Sequence, residues 1–172
     1  MDIQVYQNHN ELIPFYFSRG IEIADEFENQ PVFSYIIKEP NELIAAITCS
    51  KVSNVYVVEA IAVNEKFERR GIGTYLLKYV LEKLVSLKAE EIILNAKNTT
   101  FFEKNGFAVI DRQNVPIDAY SYCFECECFG VNCFPKIMRY QWYHIIWTWC
   151  LSPNPFCESD NFYRNKNSTL KI

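Results

Sequence analysis

The chain has 172 residues, of which 49% are hydrophobic and 22% charged, and its formal net charge is −4. This length suits one domain, or one domain with an appendage, and the composition predicts a folded protein rather than a disordered one. The negative charge argues against binding to nucleic acid or to an anionic membrane. No apolar run reaches the roughly 20 residues that span a bilayer, and no secretory signal pattern opens the chain, so we expect a cytoplasmic protein.

The first fifty residues alternate between short helical and extended patterns. A helix ended by Gly20 is expected to follow the first strand, and two later apolar runs flank turn residues and predict a β-hairpin. In chain order, the patterns predict a strand at residues 3–6, helices at 11–19 and 22–28, and hairpin strands at 32–37 and 43–49.

The middle of the chain carries the clearest periodicity. Residues 56–63 are apolar except at Glu59 and predict a central strand, and apolar positions at helical spacing predict a long helix from Ile72. Later patterns predict strands at 91–94, 107–111 and 136–140 and a short helix at 99–104. This order predicts a mixed α/β (α+β) sheet with flanking helices, in which the long helix crosses between two neighbouring parallel strands.

A basic turn, Glu68-Arg69-Arg70-Gly71-Ile72-Gly73-Thr74, joins the central strand to the long helix. A helix start leaves backbone N–H groups without acceptors and carries a partial positive charge, so two arginines there are unfavourable unless an anion offsets them. The turn therefore predicts a site for a phosphorylated ligand. It lacks the Gly-Lys-Ser/Thr ending of a P-loop, and Leu76 stands where a dinucleotide fingerprint needs a small residue.

The same turn resembles the acetyl-CoA-binding motif of the GNAT acetyltransferases, Gln/Arg-x-x-Gly-x-Gly/Ala at the start of a long helix. Glu68 stands in place of the usual Gln or Arg. Residues 59–64, 95–98 and 101–107 resemble neighbouring segments of that family, in the family's order. The resemblance implies a GNAT-like domain over residues 1–140, followed by a Cys/Trp-rich appendage at 141–172 that packs locally or stays partly disordered.

The resemblance implies acetyl-CoA as co-substrate and direct acetyl transfer to the amine of a small molecule. It also implies which residues contact the cofactor. Backbone N–H groups of Ala62 and Val63 are expected to bind the pantetheine arm and the carbonyl. The pyrophosphate is expected beside Arg69, Arg70, Gly71, Ile72, Gly73 and Thr74, with further contacts from Asn95, Asn98 and Phe102.

Glu59 is the candidate general base, because it is the single acid on an otherwise apolar strand and the family often has a carboxylate there. A glutamate that faces solvent or pairs with a lysine is the alternative. The general acid is open, since Phe102 stands where the family often has Tyr. Tyr56 or Tyr75 could protonate the sulfur, although both also suit core packing, or the thiolate leaves without a dedicated donor.

The segment from Phe101 to Pro116 and the later Pro135-Lys136-Ile137-Met138 resemble amino-acid N-acetyltransferases and arsenic-resistance relatives. This resemblance implies an acceptor with an amino group and a carboxylate, for which Arg112 is a candidate partner unless it forms a surface salt bridge. A homodimer is a further prediction.

Four cysteines lie close together in the sequence, and the first two have metal-ligand spacing. One short loop would have to supply every ligand, so free thiols are favoured over metal ligands or a redox pair, and we predict no metal site. Two other functions stay open: a catalytically silent acyl-CoA-binding or regulatory module, and a metal-binding interaction protein built on Cys123, Cys126, Cys128 and Cys133.

Overall fold

In a computed structural model, which describes residues 1–23, 27, 29–120, 123 and 126–141, seven strands form one sheet. Their order across the sheet is β1-β2-β3-β4-β5-β7-β6. The strands are β1 (Ile3–Tyr6), β2 (Pro31–Glu39), β3 (Glu42–Val52), β4 (Val55–Val63), β5 (Glu91–Ala96), β6 (Phe107–Val109) and β7 (Lys136–Tyr140). The α-helices are α1 (Ile13–Ser18), α2 (Ile72–Ser86) and α3 (Thr100–Glu103).

The sheet is mixed, as predicted. β1 to β4 pair antiparallel in sequence order, which confirms the hairpin, while β4 and β5 run parallel. α2 connects these two parallel strands, because a parallel pair needs a crossover. The predicted strand at 136–140 is also confirmed, and it lies between β5 and β6.

Helices cover both faces of the sheet. Thr48 on β3 faces α1, where its Oγ1 lies 2.9 Å from the Tyr16 hydroxyl and 2.7 Å from Ser34 Oγ. Because successive residues of a strand point to opposite faces, Tyr35 on β2 points away from α1, and its ring packs against Tyr79 of α2. The buried side of α2 consists of Ile72, Leu76, Leu77, Val80, Leu81 and Leu84.

Two predicted helices differ from the structure. The one predicted at 11–19 starts at Ile13, after a 3-10 turn, with Pro14 in its first turn where no N–H is needed. The helix predicted at 22–28 is wrong at Glu22, Ile23 and Phe27, which have no helical structure, while its other positions lie outside the described residues.

The appendage predicted at 141–172 lies outside the described residues except for Gln141, and its boundary stays a prediction. In the described part of the chain, no helix combines the length and the apolar character that crossing a membrane requires.

Candidate active site

β4 and β5 separate part of the way along the sheet. Their paired residues run from Val55 with Glu91 to Val58 with Leu94. β4 continues to Val63, whereas the next residues of β5 pair only with β7. The edge of β4 beyond Val58 therefore borders a cleft, where its backbone groups can bind a ligand.

This cleft is part of a cavity of about 720 Å³. Most of its wall is apolar, with Ile21, Ile23, Phe27, Phe101 and Phe129 among the contributors. A large apolar pocket with a few polar groups is typical of a small-molecule site. Of the predicted site residues, Glu59, Ala62, Val63, Gly73, Asn95, Asn98 and Phe102 line the cavity.

Glu59 lies at a β-bulge in β4. The register pairs Val58 with Cys49 and Ala60 with Thr48, so Glu59 is an extra residue between two pairs. Bulges redirect side chains and are common beside active sites. The half-buried Glu59 carboxylate accepts hydrogen bonds from the Ser50 hydroxyl and, at 3.2 Å, from Asn29 Nδ2. These donors hold the carboxylate at the cavity wall.

The Cys49 thiol, on the neighbouring strand β3, cannot serve as a nucleophile. Burial, followed by the negative charge of Glu59, raises the pKa of Cys49 far above the range of a reactive thiol. Cys49 is fully buried and stays protonated at neutral pH.

The start of α2 has the geometry of an anion site. Gly71 has a left-handed φ of 78°, and the first helical bond runs from the Tyr75 N–H to the Gly71 carbonyl at 2.9 Å. The N–H groups of Ile72, Gly73 and Thr74 precede that bond, and the N-cap residue, Gly71, has no side chain that could cap the helix. These groups and the helix dipole favour a negative ligand.

Gly73 gives the helix start room against β4. A Cβ atom there would lie 3.4 Å from Val63 Cγ2 and 3.5 Å from Phe101 Cζ, so a methyl group just fits and a longer side chain would enter the cleft. Ile72 is 3% exposed, which leaves its backbone as the part available to a ligand.

The two arginines of the turn lie outside the described lining of the cavity. Both are exposed, Arg69 has a left-handed φ of 59°, and the guanidinium of Arg70 lies 5.4 Å from the Phe67 ring centre. Thr74 is likewise not among the lining residues. Contacts between these side chains and a pyrophosphate stay a prediction.

The structure explains the unusual glutamate at the start of the motif. Arg19, which follows α1, donates from Nη2 to Glu68 at 2.6 Å and lies 3.5 Å from Glu65. Glu68 thus joins the turn to Arg19, the residue that follows α1.

Asn95 lies on β5, just beyond the point where β4 and β5 separate, and one of its polar atoms is unsatisfied among the described residues. Its Nδ2 donates to Cys123 Sγ at 2.7 Å, whereas its buried Oδ1 has no hydrogen-bond partner among the described residues. A buried polar atom without a partner is costly, so this oxygen is suited to accept an N–H from a bound molecule.

Three predicted side chains lie elsewhere. Tyr56 and Tyr75 are not among the described lining residues, and Tyr75 is half exposed on α2. Arg112 also lies outside that lining, with its guanidinium 4.7 Å from the Phe129 ring centre and its Nη2 donating to the Pro135 carbonyl at 3.0 Å.

The cysteine segment forms part of the cavity wall. Cys123, Cys126 and Cys133 line the cavity, and together with Cys128 they are free thiols. Burial is the main reason that the pKa of Cys123 is raised to about 11.

Several residues at the site were missed by sequence reasoning. Ser50, Asn29 and Glu22 belong to three different segments, and each has an ordinary local context. Lys97 lines the cavity, and its Nζ lies 3.1 Å from Glu22 Oε2. The sequence carried a signal for it, because it is the one basic residue in the stretch 95–98 that resembles the family.

Comparison with solved structures finds the same fold. N-acetylglutamate synthase from Neisseria gonorrhoeae, complexed with coenzyme A and N-acetyl-glutamate, matches with a TM-score of 0.62 and 16% identity over 81% of this chain. The match spans 35% of that enzyme's length. The ribosomal-protein-S18-alanine N-acetyltransferase from Escherichia coli matches with a TM-score of 0.55 and 15% identity, covering 81% of this chain and 92% of that one.

A GNAT family acetyltransferase from Elizabethkingia anophelis with acetyl-CoA bound has a TM-score of 0.51 and 20% identity, covering 81% of this chain and 97% of that one. At such identities the likeness is one of fold alone. Comparison with curated proteins gives no match. The model of the acetyltransferase (GNAT) family, however, matches residues 4–107. That stretch runs from β1 to the start of β6 and includes Glu59, the basic turn and α2, and over it this chain belongs to the GNAT acetyltransferase family.

Proposed function

We propose that this acetyltransferase uses acetyl-CoA to acetylate the amine of a small molecule bound in the cavity beside Glu59. The observation that carries the proposal is the separation of β4 from β5, which brings Glu59, the free edge of β4 and the start of α2 to one cleft. An amino-acid-like acceptor is the first class to test, because of the resemblance of residues 101–116 to amino-acid N-acetyltransferases.

The described residues fit acetyl-CoA in three ways. The start of α2, with the N–H groups of Ile72, Gly73 and Thr74, suits the pyrophosphate, and the edge of β4 offers backbone groups to an extended pantetheine arm. Asn95 Oδ1, which has no hydrogen-bond partner in the described part of the chain, can accept from an amide N–H of that arm. When bound, acetyl-CoA supplies an activated thioester carbonyl.

Glu59 is the residue proposed to move a proton. Its carboxylate would accept a proton from the acceptor's ammonium group, directly or through water, so that the amine nitrogen can attack the thioester carbonyl. Ser50 and Asn29 hold the carboxylate in place. Backbone N–H groups of β4 would stabilise the developing negative oxygen. Phe102 has no proton to give, so the departing thiolate would take one from solvent or from the substrate.

A thiol-release assay with acetyl-CoA and a panel of amino acids and polyamines tests this function. We expect Glu59→Gln to lower kcat by about 100-fold or more, a typical contribution of a general base. The rise in melting temperature caused by acetyl-CoA should be nearly unchanged. Glu65→Gln is the matched control, because the Glu65 side chain is 82% exposed, and it should keep wild-type turnover.

A silent acyl-CoA-binding module is the second candidate, favoured by the phenylalanine at position 102. It would be stabilised by acetyl-CoA and release no thiol with any amine in the panel. If acetyl-CoA and CoA both leave the melting temperature unchanged, the proposal and this second candidate are both wrong. A cytoplasmic location and a homodimer stay predictions.

A further inference from the structure

Three side chains that the proposed reaction does not use converge beside the cavity. A carboxylate oxygen of Glu22 and the Sγ atoms of Cys126 and Cys128 all lie within 4.8 Å of one another. Zinc with sulfur ligands at about 2.3 Å and tetrahedral geometry would bring neighbouring ligand atoms to about 3.8 Å. Small side-chain rotations would therefore be enough to close the three groups around one ion.

The backbone around the two thiols is held by its own hydrogen bonds. The carbonyl of Cys126 accepts from the Phe129 N–H at 2.9 Å, and the carbonyl of Cys128 accepts from the Cys133 N–H at 2.9 Å. Gly130 supplies the left-handed residue, with a φ of 75°, that lets the loop turn back. Both cysteine side chains are half-buried. The hydrogen-bonded loop therefore holds the two Sγ atoms close to the spacing that a metal ion requires.

Charge balance favours a divalent ion at this point. Two thiolates and one carboxylate carry three negative charges, and a divalent ion neutralises two of them. Lys97 Nζ, which lies 3.1 Å from Glu22 Oε2, supplies the third positive charge. A carboxylate can bind a metal through one oxygen while a neighbouring group holds the other, and such outer partners orient metal ligands.

We propose that Glu22, Cys126 and Cys128 form a binding site for a thiophilic divalent metal ion of the zinc class. The carboxylate and the two thiolates bind the ion, and water occupies the fourth position. Each thiol loses its proton to solvent, so two protons are released per ion bound. Soft sulfur ligands favour Zn²⁺ over Mg²⁺ and Ca²⁺, which take oxygen ligands.

The site would join two distant parts of the chain. Glu22 follows α1, and the cysteines come more than 100 residues later, between β6 and β7. Glu22 and Cys126 both line the cavity. The ion would therefore link the segment after α1 to the segment between β6 and β7, both of which form part of the cavity wall. The sequence favoured free thiols because one short loop would have had to supply every ligand. The spacing of the cysteines could not reveal a carboxylate from a remote segment.

Zinc titration of the full chain tests the proposal. The protein is kept reduced with a phosphine, freed of metal, and titrated with Zn²⁺ in competition with a chromophoric chelator. We expect one tightly bound equivalent that is lost in Cys126→Ser and in Cys128→Ser, while Glu22→Gln weakens binding by about tenfold or more. Cys123→Ser is the matched control, because its thiol is outside the three-atom group and bonds to Asn95.

Titration of the wild-type protein with Co²⁺ gives a second test that needs no variant. We expect a thiolate-to-cobalt charge-transfer band and the intense visible bands of a tetrahedral ion. The proposal is overturned if the reduced wild-type protein binds no Zn²⁺, or if the cobalt complex has no charge-transfer band. It is also overturned if the double variant of Cys126 and Cys128 binds Zn²⁺ as tightly as the wild type, since the ion would then lie elsewhere.

Discussion

The hydroxyl of Ser50 donates directly to the Glu59 carboxylate from the neighbouring strand. A hydrogen bond to a charged group is worth about 1.5–3 kcal/mol, so losing it should disturb the position of the proposed base. We expect Ser50→Ala to lower kcat by about tenfold, measured by thiol release at saturating acetyl-CoA. Ser86→Ala, which removes a hydroxyl bonded to the Lys83 carbonyl on α2, should have no effect. Wild-type turnover in Ser50→Ala would mean that Ser50 does not position the base.

The Cys123 thiol should react slowly at neutral pH. Burial is the largest cause that raises its pKa to about 11, and the thiolate is the reactive form. We expect the alkylation rate of Cys123 by iodoacetamide, followed by mass spectrometry of its peptide, to increase up to about pH 11. A plateau near pH 8.5, the ordinary value for cysteine, would contradict this burial effect.

At the residue scale, the sequence revealed single unusual residues better than their partners. Glu59 could be proposed as a candidate base because an acid interrupts an apolar strand. Gly71 and Gly73 could be proposed as cofactor-binding residues because of their spacing. The bulge that displaces Glu59 depends on how two strands pair, which no local pattern encodes. Ser50, likewise, becomes a site residue only through that pairing.

The start of α2 has room for a methyl group at position 73, but a longer side chain there would enter the cleft beside β4. An alanine at this position keeps ordinary van der Waals distances to Val63 and Phe101, whereas a glutamate would put a carboxylate where we expect a pyrophosphate. We therefore expect Gly73→Glu to abolish the acetyl-CoA-induced rise in melting temperature and Gly73→Ala to retain part of it. An undiminished shift in Gly73→Glu would place acetyl-CoA away from this helix.

The contact between the 3-10 turn before α1 (His9–Leu12) and the sheet should make stability depend on pH. His9 Nδ1 lies 2.8 Å from Ser34 Oγ, which is part of the buried hydrogen-bonded group with Thr48, and burial lowers the pKa of His9 below its usual 6.5. Below pH 6.5 the unfolded chain binds a proton more readily than the folded one. The free energy of unfolding should therefore decrease as pH falls from about 6.5 toward the folded-state pKa of His9, and it should be insensitive to this histidine above pH 6.5.

Urea unfolding at a series of pH values measures this dependence. His9→Asn should flatten the slope just below pH 6.5, whatever its effect on stability at pH 8. An unchanged slope in the variant would assign the pH dependence to other groups.

At the element scale, long periodic segments were predicted well and the segment after α1 was not. α2 starts at Ile72 as predicted, because its apolar spacing is unambiguous over four turns. The helix predicted at 22–28 is wrong at its described positions because tertiary contacts override local propensity. Glu22 pairs with Lys97, while Ile23 and Phe27 line the cavity.

At the scale of the whole molecule, the fold brings the start of α2 and the candidate base, Glu59, to the cleft where β4 and β5 separate. α2 begins after the carboxyl end of β4, and a helix that connects parallel strands must start at that end. This relation could be predicted from element order alone. The insertion of β7 between β5 and β6 could not, because strand order depends on long-range pairing. The division between residues 1–140 and 141–172 stays a prediction.

Acetyl transfer to a small amine in the cavity between β4 and β5 can be measured directly. Mass spectrometry can count the acetylated amine formed against the free thiol released, using the best acceptor in the panel. We predict one acetylated amine for each thiol in the wild-type protein, and about 100-fold slower formation of both in Glu59→Gln. Thiol release without acetylated amine would contradict acetyl transfer to the amine, and equal rates in the two proteins would contradict the role of Glu59 as the base.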